Sequence, residues 1–441
     1  MRIGILEAIL VFCIPLTQLF SVNVGGTLFA QDAVGVILFA ALLLQRGGTV
    51  RIREIRTFFL FLGIWFLGQV VTDLIRHSAP EDYIRGWSRI LFFGVQVGAL
   101  WLLLTRKPPL FIIYMAGLGI ASMLRIYRLP PIEAAFPWKF GLGIGVVLFM
   151  AAVSSLIARD ARRSGAIPAG LLLLAGFIAL YEDARSIFGM AGLAAAYTYV
   201  AYWFSRRPHF ARLITPPRFL LVILTGLIVA MGLISVYGTM AASGMLGANA
   251  RQKYEMQSSG DLNLIQGGRV ESLVSTIAIE DSPIIGHGSW AHDIRYVRLL
   301  AHKLAEAGIH NARSVNTEGE NDLIPTHSHL LGAWVDAGIA GAIFWFWVIF
   351  VTLQALYFVL RLRGAPNPLI MVSAFSTLWD VPFSPFGADE RFLRAAELVL
   401  LLYVVKVVGD QRPVIPRIRR RKRFAPIAAA RPAAGPPSPV V

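Results

Sequence analysis

The stretch VDAGIAGAIFWFWVIFVTLQALYFVLRLR, residues 335–363, decides the fold class of this chain. Asp336 is its only charged residue before Arg361, so it offers an apolar run long enough to cross a bilayer, which takes about 20 residues in a helix. Arg361 and Arg363 follow at once, and basic residues directly after a span mark the cytoplasmic side of a membrane. The stretch therefore predicts a membrane helix that begins outside and ends in the cytoplasm.

The composition excludes the soluble globular class. The chain has 441 residues, of which 56% are hydrophobic and 15% are charged, whereas soluble domains average about 45–50% apolar and about 25% charged residues. The formal net charge is +15. In a membrane protein such an excess reflects basic loops kept in the cytoplasm, so we expect no nucleic-acid partner. Cys13 is the single cysteine, which excludes an intramolecular disulfide and a cysteine-based metal site.

Similar apolar runs recur along the chain and predict an all-α polytopic membrane protein with about twelve transmembrane helices. The fifth, seventh and eleventh runs are short or interrupted, so the expected count is about ten to twelve. A cleaved signal peptide is the alternative for the first run, but a second run follows at once. The runs lie near residues 4–21, 27–45, 57–74, 86–105, 109–125, 138–158, 166–182, 186–205, 217–240, 335–360, 367–380 and 391–408.

Basic clusters fall after every even-numbered run, which predicts that both termini are cytoplasmic and that odd-numbered runs end outside. These clusters begin at Arg46, Arg106, Arg159, Arg206, Arg361 and Arg417. The last cluster belongs to residues 409–441, which are rich in Pro, Ala and Arg. This composition predicts a disordered, basic cytoplasmic tail whose charges lie against anionic lipid headgroups.

The connection between the ninth and tenth runs, residues 241–326, is predicted to be a long periplasmic loop that is partly helical. Long ordered connections tend to carry function. The loop is mildly acidic, and six of the eight histidines of the chain lie between residues 287 and 329. Amphipathic spacing predicts helices over residues 268–280 and 291–307. The chain thus divides into membrane helices 1–9 (1–240), the loop (241–326), membrane helices 10–12 (327–408) and the tail (409–441).

Several short motifs lie in and around this loop. Its exit reads HSHLLGAWVDAGIAG over residues 327–341, a His-Ser pair followed after nine residues by Gly-x-x-Gly. Upstream stand GGR at 267–269 and SPIIGHG at 282–288, and DARS at 183–186 lies at the outer end of the seventh run. Together these motifs resemble the signature of the O-antigen ligase and polymerase superfamily, although Ala184 stands where that family usually has a serine.

The resemblance implies glycan transfer at the periplasmic face of the bacterial inner membrane. In that family the donor is a glycan linked through pyrophosphate to undecaprenol. Ligases pass the glycan to lipid A–core, and polymerases pass it to another lipid-linked glycan. The motif pattern favours a ligase, and a polysaccharide polymerase of the same superfamily is the alternative. The resemblance implies no nucleotide sugar, no metal and no other cofactor.

The resemblance assigns the chemistry to three residues: Arg269 and Arg185 hold the pyrophosphate, and His327 acts as the base or orients the acceptor hydroxyl. The residue types suit these tasks. Arginine stays charged and pairs with phosphate through two parallel hydrogen bonds, and such groups stabilise charge on a leaving pyrophosphate. A histidine with a pKa near neutrality can accept the proton of an attacking hydroxyl. We expect direct displacement with inversion at the anomeric carbon.

Four further residues are candidates for substrate contact. Trp290 and Trp334 stand beside the motifs, where an indole could support a sugar ring. His329 follows the His-Ser pair and could share its work. Arg391 opens the twelfth run at its outer end, where lipid phosphates lie.

The assigned residues also have structural alternatives. Arg269 could be a surface charge on an amphipathic helix, Arg185 an interfacial side chain that reaches for water, and His327 a helix-capping residue. A zinc site on His327 and His329 is a further alternative. The chain has no His-Glu-x-x-His spacing, so we expect no metal.

Two charged residues near the predicted outer ends of membrane runs each have a functional and a structural interpretation. Glu397 lies within the twelfth run, where ionisable groups are costly and often functional; the structural alternative is an intrahelical pair with Arg394. Arg89, near the outer start of the fourth run, could contact lipid phosphate or pair locally with Asp73 or Glu81.

Two other functions compete with glycan transfer. Twelve spans suit a transporter of a polysaccharide precursor, but transporters usually show two similar halves with a site at mid-membrane. Here the long loop follows the ninth run, and the distinctive polar residues cluster at the outer face. A ligand sensor is the third hypothesis, and no motif supports it.

Overall fold

The computed structural model describes residues 3–46, 53–158, 165–245, 251, 270–306, 322–360 and 367–410. Arg269 and residues 411–441 lie outside these ranges, and the predictions made for them stay predictions. Within these ranges the chain is almost entirely helical, as expected for an all-α membrane protein.

The elements follow one another in this order. The first are α1 (Ile5–Cys13), a 3-10 helix (Pro15–Leu19), β1 (Ser21–Asn23), β2 (Thr27–Phe29), α2 (Ala30–Arg46), α3 (Arg53–Arg76), α4 (Pro80–Leu104) and α5 (Pro109–Leu124). Next come α6 (Pro131–Ala134), a π-helical turn (Trp138–Leu142), α7 (Gly143–Ala158), α8 (Ala166–Tyr181), α9 (Arg185–Arg206), α10 (Pro208–Leu213) and α11 (Pro216–Ala242). The last are α12 (Val270–Asp281), α13 (Ile294–Glu306), α14 (His329–Ala337), α15 (Ile339–Val359), α16 (Pro368–Phe383) and α17 (Glu390–Asp410).

A short β-hairpin departs from the all-α prediction. Its strands pair antiparallel, with Ser21 opposite Phe29 and Asn23 opposite Thr27. The turn between them contains Gly25 at φ 64°, which glycine adopts without steric cost. The second apolar run therefore starts as a strand, and its helix begins only at α2. Hydropathy misses this hairpin because three-residue strands are too short to show an alternating pattern.

Six helical stretches of the described chain are long and apolar enough to cross a membrane: α3, α4, α5 with the turn that follows it, the π turn with α7, α9, and α15. Other predicted runs correspond to shorter apolar helices, among them α2, α8 and α16. Each predicted run therefore overlaps a described helix, but the tenth run is broken at Gly338 into α14 and α15. The count of twelve spans stays a prediction.

An aromatic cluster lies where α3, α4 and α15 pack against one another. The ring of Trp65 in α3 lies 5.0 Å from Phe344 and 5.7 Å from Trp345, both in α15. Phe93 in α4 contacts Phe386, which follows α16, at 5.3 Å. Because lipid tails are as apolar as these rings, close packing rather than hydrophobic transfer holds such helices together.

One end of the bundle carries the loop, and we call it the loop face. There Ser289 of the loop donates from Oγ to Asp73 Oδ2 in the last turns of α3, at 2.7 Å. At the opposite end Lys107, just after α4, pairs with Glu7 in α1 at 2.5 Å. Since α3 and α4 run antiparallel, α3 ends at the loop face and α4 begins there. That the loop face is periplasmic remains a prediction.

Candidate active site

The His-Ser motif lies where the loop returns to the bundle. Ser328 is extended, with φ −153° and ψ 138°, and caps α14: its Oγ accepts from Leu331 N at 3.0 Å and donates to Val381 O at 2.9 Å. This hydroxyl ties the start of α14 to the end of α16. His327 precedes the cap and is half-buried, whereas His329 begins the helix and is buried. Helix capping, one alternative for His327, is done by Ser328.

His329 lies inside the bundle. Its Nδ1 donates to Ser384 O at 2.5 Å, since a carbonyl can only accept. Its ring packs against Trp345 and Phe386, at centroid distances of 4.9 and 5.1 Å. Only 1% of the residue is exposed, so a glycan cannot reach it without displacing these rings. This burial does not support the substrate contact expected of His329, which stays a prediction.

A buried charge cluster surrounds Arg394 in α17. Its Nη1 lies 2.6 Å from Glu397 Oε2, which is the intrahelical pair offered as the structural alternative. Its Nη2 lies 2.8 Å from Asp380 Oδ2 and donates to Ser376 Oγ at 2.9 Å. Sequence analysis missed Asp380 as a partner, although Ser376, Thr377 and Asp380 form a polar stripe along α16. Pairing offsets the cost of burying these charges.

Arg89 of α4 forms an ion pair that the sequence did not predict. Its Nη2 lies 2.7 Å from Asp336 Oδ2 in α14, in place of the local pair expected with Asp73 or Glu81. Asp73 instead accepts hydrogen bonds from the loop residue Ser289. The pair between Arg89 and Asp336 joins the fourth helix to the helix that follows the His-Ser motif.

Arg391 is buried and pairs with Asp32. Its Nε donates to Asp32 Oδ1 at 2.9 Å, and its Nη2 contacts the other carboxylate oxygen. The guanidinium also lies 5.2–5.9 Å from the rings of Phe29, Phe92 and Phe392. Only 3% of Arg391 is exposed, so the structure gives its expected role as a substrate contact no support, and that role stays a prediction.

The motif at residues 282–288 packs against the break between α14 and α15. His287 N donates to Val335 O at 2.7 Å, and Ile339 N donates to Ile284 O at 3.2 Å. Gly338 forms the break at φ 61°, and a Cβ at this position would lie 1.9 Å from Ile284 O. Two motifs that were recognised separately in the sequence therefore interlock, and their glycines permit the close approach.

Trp334 adds a side-chain contact between the same two motifs. Its Nε1 donates to Pro283 O at 2.8 Å, and its ring lies 6.1 Å from that of Phe346. The indole is half-buried. Its N–H group is thus used inside the protein, and contact with substrate stays a prediction for its ring.

A cleft of about 580 Å³ opens at the loop face, between the turn that joins α3 and α4 and the loop segment after α12. Trp290 lines it and is 39% exposed. Arg76 and Asp82 contribute from the helix ends, and His292 and Tyr296 from the loop. The cleft therefore presents both signs of charge together with aromatic surface.

His292 links the exit of the loop to α4. Its Nδ1 lies 2.5 Å from Asp322 Oδ1, and its Nε2 lies 3.5 Å from Asp82 Oδ2. The hydrogen bond with Asp322, helped by the charges of both carboxylates, raises the pKa of His292, although partial burial opposes this. The same hydrogen bond lowers the pKa of Asp322. An antiparallel bridge between His292 and Leu323 holds the two segments together.

Arg185 is the first residue of α9 and is half-buried, with its Nε 3.3 Å from Asp183 Oδ1. A Cβ on Gly143 would lie 2.6 Å from Ile187 Cδ1, so the start of α9 lies beside the start of α7. Since α5 begins at the opposite end, near Lys107, α5 ends and α7 starts at the loop face. Arg185 is therefore at the loop face, and its sharing one pocket with His327 stays a prediction.

The helix that follows Arg269 lies beside the His327 segment. It begins at Val270 and packs against α14. Its Ser275 donates from Oγ to Pro325 O at 2.9 Å, two residues before His327. Ser275 comes five residues after Val270 in this helix, a rise of about 7.5 Å along the axis. These contacts bring the chain that directly follows Arg269 close to the exit of the loop.

Within the described residues, no group of three or more His, Cys, Asp or Glu side chains could hold a metal ion. For the zinc alternative, His329 is already engaged through Nδ1 with Ser384 O. Its ring is also enclosed by aromatic side chains.

Residues 169–346 match a family model described as O-antigen ligase. The matched range runs from the first turn of α8 into α15 and contains Arg185, Arg269 and His327. It also contains the interlocked motifs at 282–288 and 327–341. No curated protein matches the chain.

Proposed function

Because the chain belongs to the O-antigen ligase and polymerase superfamily, we propose that it moves a glycan from undecaprenyl pyrophosphate to an acceptor hydroxyl. The proposed place is the periplasmic face of the bacterial inner membrane. The family match over residues 169–346 carries this proposal, since it covers the loop and the helices that hold the three assigned residues. The match supports a membrane glycosyltransferase of the ligase or polymerase type. The identity of the donor, the identity of the acceptor and the residue roles are proposed in addition.

His327 is the proposed base. The acceptor oxygen attacks the anomeric carbon, its proton passes to the imidazole, and the bond from that carbon to the pyrophosphate oxygen breaks with inversion. The position of His327 supports this role because it is half-buried directly before a helix that Ser328 ties to Val381. A reactive group beside a rigid, hydrogen-bonded element is held in place before substrate arrives.

Arg185 and Arg269 are the proposed pyrophosphate ligands, and their charges replace the metal ion that other enzymes use for a leaving pyrophosphate. Arg185 at present pairs with Asp183, and both side chains are more than a third exposed. Exposed ion pairs contribute little stability, so a phosphate can displace this one. The packing of α12 beside the loop exit supports placing Arg269 near His327.

The proposed acceptor is lipid A–core, as in a ligase. A polymerase that extends another lipid-linked glycan is the alternative, since the same family match covers it and the donor chemistry is shared. The two differ in the product that accumulates when the protein is lost.

A deletion strain tests the function. If the protein is a ligase, the strain keeps long polymer on the isoprenoid lipid and has a bare lipid A–core. If it is a polymerase, single repeat units remain attached to the core. Normal surface glycan in the deletion strain would contradict both.

Complementation of that strain tests the residue roles. We expect Arg185→Ala, Arg269→Ala and His327→Ala each to lower transfer by about 100-fold or more, the range seen when one charge-stabilising donor or general base is removed. Arg298→Ala and His302→Ala are matched controls on the exposed side of α13 and should restore transfer. Near-normal transfer by any of the first three variants, at equal membrane levels, would overturn its assignment.

A further inference from the structure

Among the residues that the structure describes, neither Arg185 nor His327 lines the cleft at the loop face. Its floor is continuous with the motif turn, since His287 lines the cleft and donates from N to Val335 O in α14. At about 580 Å³ it falls within the range of about 300–1,000 Å³ that is typical of small-ligand sites. The cleft is therefore large enough for a ligand segment and close to the helix that follows His327.

Trp290 is held in an unusual conformation in this cleft. Its φ is 50°, a left-handed value that is rare for a bulky side chain and persists only where the surroundings impose it. Both neighbours are anchored: Ser289 donates from N and Oγ to Asp73, and Ala291 O accepts from Ile324 N at 2.9 Å. This fixed backbone leaves the indole 39% exposed at the cleft instead of buried.

An exposed indole in a polar cleft suits a ligand with both C–H faces and hydroxyl groups. The negative face of the ring attracts weakly positive C–H bonds, and the indole N–H can donate to an oxygen. Sugar rings present both kinds of group. Arg85 lies over the same ring, with its guanidinium carbon 6.0 Å from the centroid, and adds a donor at the edge of the cleft.

The charged groups of the cleft favour a neutral, polyhydroxylated ligand over a pyrophosphate. Asp82, Asp281 and Asp293 line it together with Arg76 and Arg295. Positive and negative groups nearly balance, so the cleft offers a polyanion no net positive field. The same carboxylates and the guanidinium groups can accept from and donate to sugar hydroxyls.

Several of these groups are oriented before any ligand arrives. Arg76 donates from Nε to Gly286 O at 2.9 Å, Tyr296 donates from its hydroxyl to Asp281 at 2.5 Å, and Arg295 pairs with Asp293 at 2.7 Å. Side chains held in this way lose less conformational entropy on binding. The lining is thus preorganised around Trp290.

We propose that this cleft is a saccharide-binding site in which Trp290 stacks on a sugar ring and Asp82, Asp281 and Arg76 bind hydroxyl groups. The inference rests on the proposed function, because that function supplies two sugar-bearing substrates. The saccharide is either the core oligosaccharide of the acceptor or the glycan of the donor, and the chemistry of recognition is the same for both.

Transfer kinetics of purified wild type and variants separate the two sources. Trp290→Gly removes the indole and accepts φ 50° without strain, and Trp290→Tyr keeps an aromatic face. We expect Trp290→Gly to raise the KM of one substrate by about tenfold, equivalent to about 1.4 kcal/mol, with kcat within about threefold and Trp290→Tyr close to wild type. A raised acceptor KM identifies the core oligosaccharide, and a raised donor KM identifies the transferred glycan. Tyr127→Ala, an exposed aromatic outside the cleft, is the control.

Direct binding is measured by saturation-transfer NMR with core oligosaccharide and with the released repeat unit, both from the source bacterium. We expect signal transfer to one of them in wild type and in His327→Ala, and its loss in Trp290→Gly. Equal binding by wild type and Trp290→Gly, or no binding by wild type, would overturn the cleft assignment. Saccharide binding without glycan transfer by wild type would refute the proposed function and leave the cleft assignment standing.

Discussion

Neighbouring residues of the His-Ser motif have different tasks, which depend on small changes in backbone position. Ser328 is a helix cap that binds Val381 O, His329 is enclosed by Trp345 and Phe386, and His327 stays half-buried before the helix. Only His327 combines partial access with a fixed backbone neighbour. These positions therefore favour His327 over His329 as the base.

The ion pairs of His292 predict that the stability of the protein depends on pH. It faces Asp82 on α4 and Asp322 at the loop exit, with Asp293 beside it. Because its pKa is raised in the folded protein, protonated His292 stabilises the fold. This stabilisation is present below the ordinary pKa of about 6.5 and is lost as pH rises through the raised value.

We therefore expect the Tm of wild type to exceed that of His292→Gln below about pH 6.5 and the difference to shrink as pH rises through the raised pKa of His292. Thermal unfolding in detergent, followed at several pH values, measures it. Gly189→Ala in α9 removes no titratable group and is the control, so its Tm difference from wild type should not vary with pH. A difference that stays constant or grows as pH rises would show that the ion pairs of His292 do not stabilise the loop exit.

At the scale of elements, a glycine-based junction connects the loop to the membrane helices. The turn at 282–288 and the break between α14 and α15 exchange backbone hydrogen bonds, and Trp334 covers them through Pro283 O. Gly338, with φ 61° and ψ −152°, lies in a region of backbone space that is essentially restricted to glycine. The junction explains in physical terms why this glycine belongs to the motif.

Gly338→Ala tests the junction. The backbone strain costs about 1–3 kcal/mol, and the added methyl group would lie 1.9 Å from Ile284 O, so we expect a clearly lower Tm and reduced transfer. Gly189→Ala in α9 is the matched control, because a Cβ there meets no atom within 4 Å and alanine favours a helix. Equal Tm values for the two variants would contradict the proposed rigidity of the junction.

Helix prediction from local pattern was accurate for the loop. Helices expected at 268–280 and 291–307 are observed as α12 and α13, with ends within a few residues. The β-hairpin before α2 was missed because its strands are too short for a periodic signal. Periodicity is a local property, so it predicts an element well only when that element is several turns long.

At the scale of the whole molecule, Asp73 couples the bundle to the loop. It accepts from Ser289 N and Oγ, from Trp87 Nε1 and from Ser78 Oγ at 2.6–2.8 Å. Thr72 beside it donates to Ile285 O at 2.5 Å. One carboxylate thus connects α3, α4 and the loop segment that forms the cleft.

Asp73→Ala should loosen the loop without unfolding the bundle. Hydrogen bonds to a charged group contribute about 1.5–3 kcal/mol, so we expect amide exchange at Ser289 to rise at least about tenfold while α15 exchanges as in wild type. Hydrogen–deuterium exchange with mass spectrometry measures both regions. Glu81→Ala, an exposed carboxylate nearby, is the control. Unchanged exchange at Ser289 would show that other contacts hold the loop.

The sequence by itself determined the membrane class, the apolar helices, the helical loop and the family to which the motifs point. These depend on composition and on short-range spacing, which any single chain displays. It could not determine which charges meet: Arg391 pairs with Asp32, Arg89 with Asp336 and Arg394 with Asp380. Such pairs depend on which helices become neighbours.

Tertiary packing determines which helices become neighbours, because it depends on many weak contacts summed over the entire bundle. Each buried charge then pairs with an opposite charge on a neighbouring helix. That partner is often hundreds of residues away in the sequence. The same packing enclosed His329 and Arg391, which the sequence had offered as substrate contacts, and left Trp290 exposed at a cleft. Exposure is a property of the assembled fold, so no local pattern could have separated these residues.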